Sequence, residues 1–372
     1  MRRLLTIATA LAVTATPLSL SAAETYRSSQ ADFRLETVAS DLEHPWSIAF
    51  LPNGEQLVTE RAGRLRLIRD GQLLEEPVAG VPEVAATGQG GLLDILLHPD
   101  FQQNRLLFLS YAHRTSEGMT TRVARAEYRD QALQDVRVIF EALPRSGVSR
   151  HFAGRMVIPA DGHLYVAVGD RGERDRAQDI NDDAGAVHRI TLEGDAPDSN
   201  PFHGQNGANT LFTLGNRNIQ GMTLHPDTGE IWSHEHGPRG GDEVNVIEAG
   251  TNYGWPVITY GINYSGTPIT DQTHKEGMAQ PLHYWDPSIA PSGMAFYTGD
   301  DFPQWQGDLF VGALKMQKLV RLELDGREIT GEEDLLTESG RRIRSVAMGP
   351  DGHLWLLTDE SDGQVLRILP AN

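Results

Sequence analysis

The sequence predicts an all-β chain, a six-bladed β-propeller of four-stranded antiparallel blades. Three observations predict it. A phrase of Pro, then Asp or Asn with Gly, recurs six times, tightly or loosely, just ahead of a short strand-like run. Each copy is followed by a second alternating run, often closed by a glycine turn. Glycine is abundant, 38 of 372 residues, while amphipathic helical periods are scarce. Asp-Gly and Asn-Gly supply the positive φ that tight turns require. Alternation at period two fits half-buried strands.

The copies can be taken in chain order. Pro52-Asn53-Gly54 precedes Gln56–Thr59, and Arg64–Ile68 follows. His98-Pro99-Asp100 precedes Leu106–Leu109, then Thr121–Arg125. Pro159-Ala160-Asp161-Gly162 precedes His163–Val166, then Gly185–Ile190. His225-Pro226-Asp227-Thr228-Gly229 precedes Glu230–Trp232, then Asp242–Ile247. Trp305-Gln306-Gly307, the loosest copy, precedes Leu309–Val311, then Lys318–Leu322. Gly349-Pro350-Asp351-Gly352 precedes His353–Leu356, then Gln364–Ile368. Units of roughly 40–60 residues with four strands are propeller blades. A pair of β-sandwiches would not explain six similar punctuations.

The amino terminus reads as an address. Met1-Arg2-Arg3 is positive, Leu4–Val13 is apolar, and Ser21-Ala22-Ala23 offers small residues before Glu24. Residues 1–23 therefore read as a secretory signal peptide, and 24–372 as one exported, soluble, periplasmic propeller domain. An apolar run of ten residues is too short to span a bilayer, so no integral membrane segment is expected in the mature chain. Cleavage would take the net charge from -19 to -21. That acid excess argues against nucleic acid and anionic membranes as partners. With no cysteine, disulfides, thiolate metal sites and cysteine nucleophiles are excluded.

Four loop regions carry more polar chemistry than turns need. Thr87–Asp94 holds three glycines around Gln89 and lacks the Gly-Lys-Ser/Thr ending of a phosphate loop. His151 lies before one strand and Asp170 at the end of the next, so a His–Asp pair is plausible by adjacency. An imidazole can take a proton from a hydroxyl, and a carboxylate fixes its tautomer. Arg217, in Leu214-Gly215-Asn216-Arg217-Asn218, is a permanent planar cation. His234-Glu235-His236 lacks the i, i+4 spacing of a zinc helix, whereas Asp242, Glu243, Asn245 and the following turn offer hard oxygen donors that suit calcium. Lys315, one of three lysines, and Arg342 with Arg344 on one strand face suggest a small anionic ligand.

These segments, in this order, resemble the soluble aldose sugar dehydrogenases that use pyrroloquinoline quinone (PQQ), a family that includes soluble glucose dehydrogenase. The likeness spans about residues 33–370. Its most specific phrases are GQGGLLDI (88–95), LGNRNIQG (214–221), EHGPRGGDEVN (235–245) and NYGWP (252–256), with IAPSGMAFY (289–297) and RRIRSVAMGPDG (341–352) beside them. The resemblance implies that His151 is the general base, with Asp170 orienting it, and that Arg217 polarises the quinone. It implies cofactor contacts at Gln89, Asn218, Lys315, Arg342 and Arg344. It implies one calcium on the backbone carbonyls of Gly237 and Pro238, and a second at Glu243 and Tyr253, where the family can also supply an Asp in place of this chain's Asn263. The activity implied is oxidation of aldose sugars at C1 to aldonolactones by hydride transfer to PQQ. The electron acceptor and sugar preference stay open, as does the choice between monomer and homodimer.

Two other readings share the fold. A calcium-dependent lactonase propeller would need no clamp of Arg217, Lys315, Arg342 and Arg344 for cofactor carboxylates. A binding propeller without catalysis would leave the His–Asp pair and the arginines unexplained.

Overall fold

A computed structural model describes residues 24–205 and 208–371. The signal-peptide reading of 1–23 lies outside the described residues. Six antiparallel sheets follow one another along the chain as six blades. The first blade is Pro45–Phe50, Gln56–Glu60, Arg64–Arg69 and Gln72–Leu73. The second is Leu92–Leu97, Leu106–Thr115, Gly118–Arg129 and Ala132–Glu141. The third is Met156–Val157, Leu164–Val168 and Ala186–Ile190; the fourth is Ile219–Leu224, Ile231–Glu235, Asp242–Val246 and His283–Trp285. The fifth is Pro291–Phe296, Leu309–Ala313, Lys318–Asp325 and Glu328–Leu335. Every predicted turn phrase falls between a blade's first and second strands, and every predicted second run is its third strand.

Two blades depart from four strands. The sixth has Ile343–Met348, Leu354–Thr358 and Gly363–Pro370, and the amino-terminal strands Asp32–Leu42 and Thr25–Arg27 complete it. Phe33 pairs with Pro370 and Leu42 with Gly363, so the two ends of the chain close the ring in one sheet. Among the described residues the third blade has three strands. After Ile190 the chain runs through Gly194, Pro197, Pro201 and Gly204, which break a fourth strand, and regains only an isolated bridge from His188 to Leu211.

The core lies in the seams between blades. Leu57, Leu65 and Leu67 pack on Leu107 and Leu109 across one seam. Phe310 and Leu319 pack on Ile343, Leu356 and Phe33 across another. The closing seam sets Val58 and Ile68 against Leu357, Val365 and Leu42. The inner strands are thus buried on both faces, which is why runs such as Leu164–Val168 are apolar throughout, while outer strands such as Glu328–Leu335 alternate.

The innermost strands fix where chemistry can occur. In five of the six blades the first strand carries a register shift at its start: Pro45/Ser47, Leu92/Ile95, Ile219/Gly221, Pro291/Met294 and Ile343/Ser345. Such bulges re-aim side chains and cluster beside functional sites. Here they gather at one end of the central channel.

Candidate active site

At the bulged end lies a cavity of about 310 Å³, at the lower end of the usual size range for small-ligand sites. Gln89, Asn218, Lys315, Arg342 and Arg344 all line it, so five of the six residues read as cofactor-binding meet in one place, while Arg217, the sixth, lines a neighbouring cavity. Trp46, Arg61, Gln220, His236 and Asp359 line it too, and the sequence reading had given none of them a cofactor role. Four cations therefore face one carboxylate. A 470 Å³ cavity at the opposite end of the channel, walled by Ile95, Met222, Phe296 and Val346, holds none of the predicted residues.

Asp359 organises the clamp. Its Oδ2 accepts from Arg342 Nη2 and Arg344 Nη2, each at 3.0 Å, while Oδ1 meets His44 Nδ1 at 2.9 Å. Burial alone would raise this carboxyl, but Arg344, His44 and Arg342 hold it far below the ordinary carboxylate range. The Arg344 side chain is 12% exposed and its Nε is unpartnered. The Lys315 side chain is exposed without an ion pair among the described residues. Arg342 precedes the strand Ile343–Met348 and Arg344 falls at its register shift, so the two arginines meet through Asp359 and not by sharing one strand face as their alternation had suggested.

His151 stands on a loop beside this cavity. Its Nδ1 lies 2.6 Å from Asp170 Oδ1, and its backbone N–H donates to Gln89 Oε1 at 2.7 Å. Asp170 is buried and accepts two further hydrogen bonds, from Gly172 N–H to Oδ1 at 2.6 Å and from Trp255 Nε1–H to Oδ2 at 2.8 Å. The carboxylate therefore directs the imidazole with Nδ1 as donor, leaving Nε2 as the basic atom. Burial pushes the His151 pKa below the ordinary imidazole value; the Asp170 bond opposes this and Arg217 adds to it. For Asp170, burial would raise the pKa, but the hydrogen bond and charge of His151 bring it below the ordinary value. His151 and Ala153 both adopt left-handed φ, 53° and 54°, a conformation non-glycine residues enter only when surroundings impose it.

Arg217 occupies the next turn. Its Nη1 donates to the carbonyls of His236 at 2.9 Å and Gly237 at 2.8 Å, and its guanidinium lies 5.3 Å from the Trp255 ring. The loop that carries it is pinned by Glu235, another residue unassigned in the sequence. Glu235 accepts from Asn216 Nδ2 at 3.0 Å, from Asn218 N–H at 3.1 Å and from Arg217 N–H. Arg217, Glu235, His236, Gly237, Glu243, Tyr253 and Trp255 line a small second cavity, and His236 lines both.

The proposed metal donors meet there in part. Gly237, Glu243 and Tyr253 share the small cavity, whereas Pro238 is not among its lining residues. Burial, then the charge of Glu235, raises the Glu243 pKa, and this carboxylate has one hydrogen bond, from Asn245 Nδ2 at 3.4 Å. The Tyr253 hydroxyl donates to Val246 O at 2.5 Å and accepts from Glu248 N–H at 2.9 Å, so only its main chain is free to serve a cation. Asn263 turns its amide to Thr267 and Pro268, and its oxygen accepts from Arg174. His234 is fully buried, with neither ring nitrogen hydrogen-bonded, and His236 Nε2 donates to Pro291 O. No group of three His, Asp or Glu that could hold a metal ion occurs among the described residues.

The sequence profile of the family described as Glucose / Sorbosone dehydrogenase matches residues 42–367. The chain belongs to that family. It is 44% identical over 349 residues to Aldose sugar dehydrogenase YliI of Escherichia coli (strain K12), covering 92% of this chain and 94% of that protein. A solved glucose dehydrogenase superposes with a TM-score of 0.89 at 46% identity, covering 91% of this chain and 99% of the other. The PQQ-bound form of Aldose Sugar Dehydrogenase from Streptomyces coelicolor gives 0.74 at 26% identity, covering 91% and 99%. Family membership favours the dehydrogenase reading over the lactonase and the binding propeller. No helix among the described residues is long and apolar enough to cross a membrane.

Proposed function

We propose that this protein oxidises aldose sugars at C1 to aldonolactones, with PQQ as its resident cofactor and calcium beside it. The observation that carries this reading is the juxtaposition of a four-cation cavity with a buried His151–Asp170 pair. The cavity residues fit a small tricarboxylate. Lys315 has no ion-pair partner among the described residues, Arg344 Nε is an orphan donor, and Asp359 balances only part of the charge. Glu243, a carboxylate with one long hydrogen bond, fits a hard cation, as does the carbonyl of Gly237. When bound, PQQ supplies an electrophilic quinone carbon that accepts hydride from the sugar, and calcium polarises the adjoining oxygen.

The chain's own residues do the rest. His151 Nε2 takes the proton of the anomeric hydroxyl, and Asp170 stabilises the imidazolium that results. Arg217, held by two carbonyls at fixed distance, places positive charge where negative charge develops on the cofactor side. Arg342, Arg344 and Lys315 bind carboxylates, and Gln89 and Asn218 offer amide contacts. The signal peptide at 1–23 and a periplasmic location complete the proposal. The test uses protein reconstituted with PQQ and calcium and follows dye reduction with several aldoses. His151→Gln should nearly abolish turnover while PQQ still binds. Normal turnover in that variant would sink the assignment, and hydrolysis of lactones without PQQ would favour the lactonase.

A further inference from the structure

Arg171, next to Asp170, is a buried cation without a carboxylate. It is 2% exposed and makes no ion pair among the described residues. Its Nε donates to Arg150 O at 3.1 Å, Nη1 to Met119 O at 2.8 Å and Nη2 to Val148 O at 2.6 Å. The guanidinium also lies 3.8 Å from the centre of the Phe152 ring. Burial, with Arg176 adding to it, lowers its pKa to about 10, so it stays charged at neutral pH.

A guanidinium taken from water is costly unless its donors are matched. Here every match goes to the segment that carries His151 or to the blade behind it. Among the described residues no backbone N–H reaches the carbonyls of Val148 and Arg150, so Arg171 alone turns them inward. Met119 O also accepts from Ser146 N–H, which ties the start of the segment to the second blade. His151 and Ala153, in left-handed conformations, follow directly, and Arg171 itself has φ 57°. From outside the segment, Gln89 holds the backbone N–H of His151 and Thr121 Oγ1 holds the carbonyl of Phe152. Two adjacent residues thus have complementary effects, Asp170 fixing the ring of His151 and Arg171 fixing its backbone.

We infer that Arg171 is a positioning residue for the His151 base, holding the 148–152 segment in the strained form that presents Nε2 to the substrate. The inference rests on His151 acting as base. A Gln amide has two donors for the three carbonyls, and a Lys ammonium has three but at a single point, without the planar spread that reaches Met119, Val148 and Arg150 together, so either change lets the segment relax.

The test uses the full chain with Arg171→Lys and Arg171→Gln. Two readouts are taken: kcat and KM of the PQQ- and calcium-loaded enzyme, and the imidazole signals of His151 by NMR in protein without cofactor. Both variants should lose at least about tenfold in kcat, Lys less than Gln, with aldose KM and PQQ affinity within about threefold of wild type. In both, the Nδ1 proton shared with Asp170 should shift or broaden, and the His151 pKa should rise as the loop opens to water. Wild-type His151 signals and pKa in folded variants would overturn the inference, even if stability or rate fell, because the role would then be structural. Should both variants fail to fold, Phe152→Leu, which removes the aromatic face under the Arg171 guanidinium, should shift the same signals relative to wild type; unchanged signals there overturn the inference equally. Full activity of His151→Gln would refute the base assignment, and with it the inference, without touching the NMR result.

Discussion

Replacing Asp170 by Asn removes one charge and converts one acceptor into a donor, in a pocket that offers only donors. Three N–H groups converge on this carboxylate: His151 Nδ1 and Gly172 N on Oδ1, and Trp255 Nε1 on Oδ2. An amide cannot satisfy all three. With its oxygen toward His151 and Gly172, its NH₂ opposes the Trp255 indole. Turned over, it opposes Gly172 and drives the imidazole to the tautomer whose Nε2 carries a proton. An unmatched buried donor costs about 1–3 kcal/mol, which is about 5- to 150-fold if expressed in the rate. Where the wrong tautomer wins, loss of an orienting carboxylate costs about 10⁴-fold. Asp170→Asn should therefore lower kcat by about 10²- to 10⁴-fold. PQQ affinity should hold, since Asp170 does not line the four-cation cavity proposed to hold it. The pH profile supplies a sign. Asp170 is the group that raises the His151 pKa, against burial and against Arg217 and Arg150. Its loss should move the acid limb of kcat/KM to lower pH. The assay is dye-linked aldose oxidation at saturating PQQ and calcium from about pH 4 to 8, a range that brackets the ordinary imidazole value. A kcat within threefold of wild type, or an acid limb moved upward, would refute the reasoning.

Other consequences are expected. In the wild type, a base whose pKa lies below that of free imidazole should keep kcat/KM flat as pH falls through the ordinary imidazole range, with the decline only at lower pH; a decline centred on the ordinary value would count against His151 as that base. Gly169→Ala should reduce both activity and thermal stability, because its Cβ would sit 2.2 Å from the His151 carbonyl oxygen and 3.1 Å from Asn218 Oδ1; an unchanged melting temperature and rate would show that the contact is slack. Arg155→Met should cost about 3–5 kcal/mol by urea denaturation, since Arg155, stacked 4.0 Å from Trp46, is the cation bonded to buried Asp94. Adding Asp94→Asn should recover part of that loss. Deletion of residues 24–42 should prevent folding, as it strips Phe33 and Leu42, both fully buried, from the blade that closes the ring; a cooperative unfolding transition in the truncated chain would contradict this.

Much of the architecture was legible because each blade repeats the same turn chemistry. Asp161-Gly162 and Asp351-Gly352 each place a glycine of positive φ in a tight turn, and the strands around them alternate or run apolar for reasons local to the chain. The blade closure was not legible. The strand Asp32–Leu42 was not singled out in the sequence, and nothing near it says that its partner is Gly363–Pro370. The missing strand of the third blade was likewise hidden, although its cause, the Pro and Gly residues from 194 to 204, was in view.

The same division holds at the site. The sequence by itself determined residue chemistry: a histidine and an acid separated by one strand, permanent cations in an acidic chain, and Gln89 set among glycines. It also carried ordered phrases enough to place the chain in its family. Only the tertiary structure decided that Gln89, Asn218, Lys315, Arg342 and Arg344 share one cavity, since they come from the second, fourth, fifth and sixth blades and the loops that lead into or out of them. Only it showed the supporting groups, because Glu235, Asp359, Trp255 and Arg171 act on loops distant in sequence. A carboxylate's charge is a property of its residue, whereas its partners and pKa follow from which strands the ring brings together. Burial raises the pKa of both Asp170 and Glu243, but their neighbours act in opposite directions, an imidazole bringing the first below its ordinary value and a second carboxylate raising the other further.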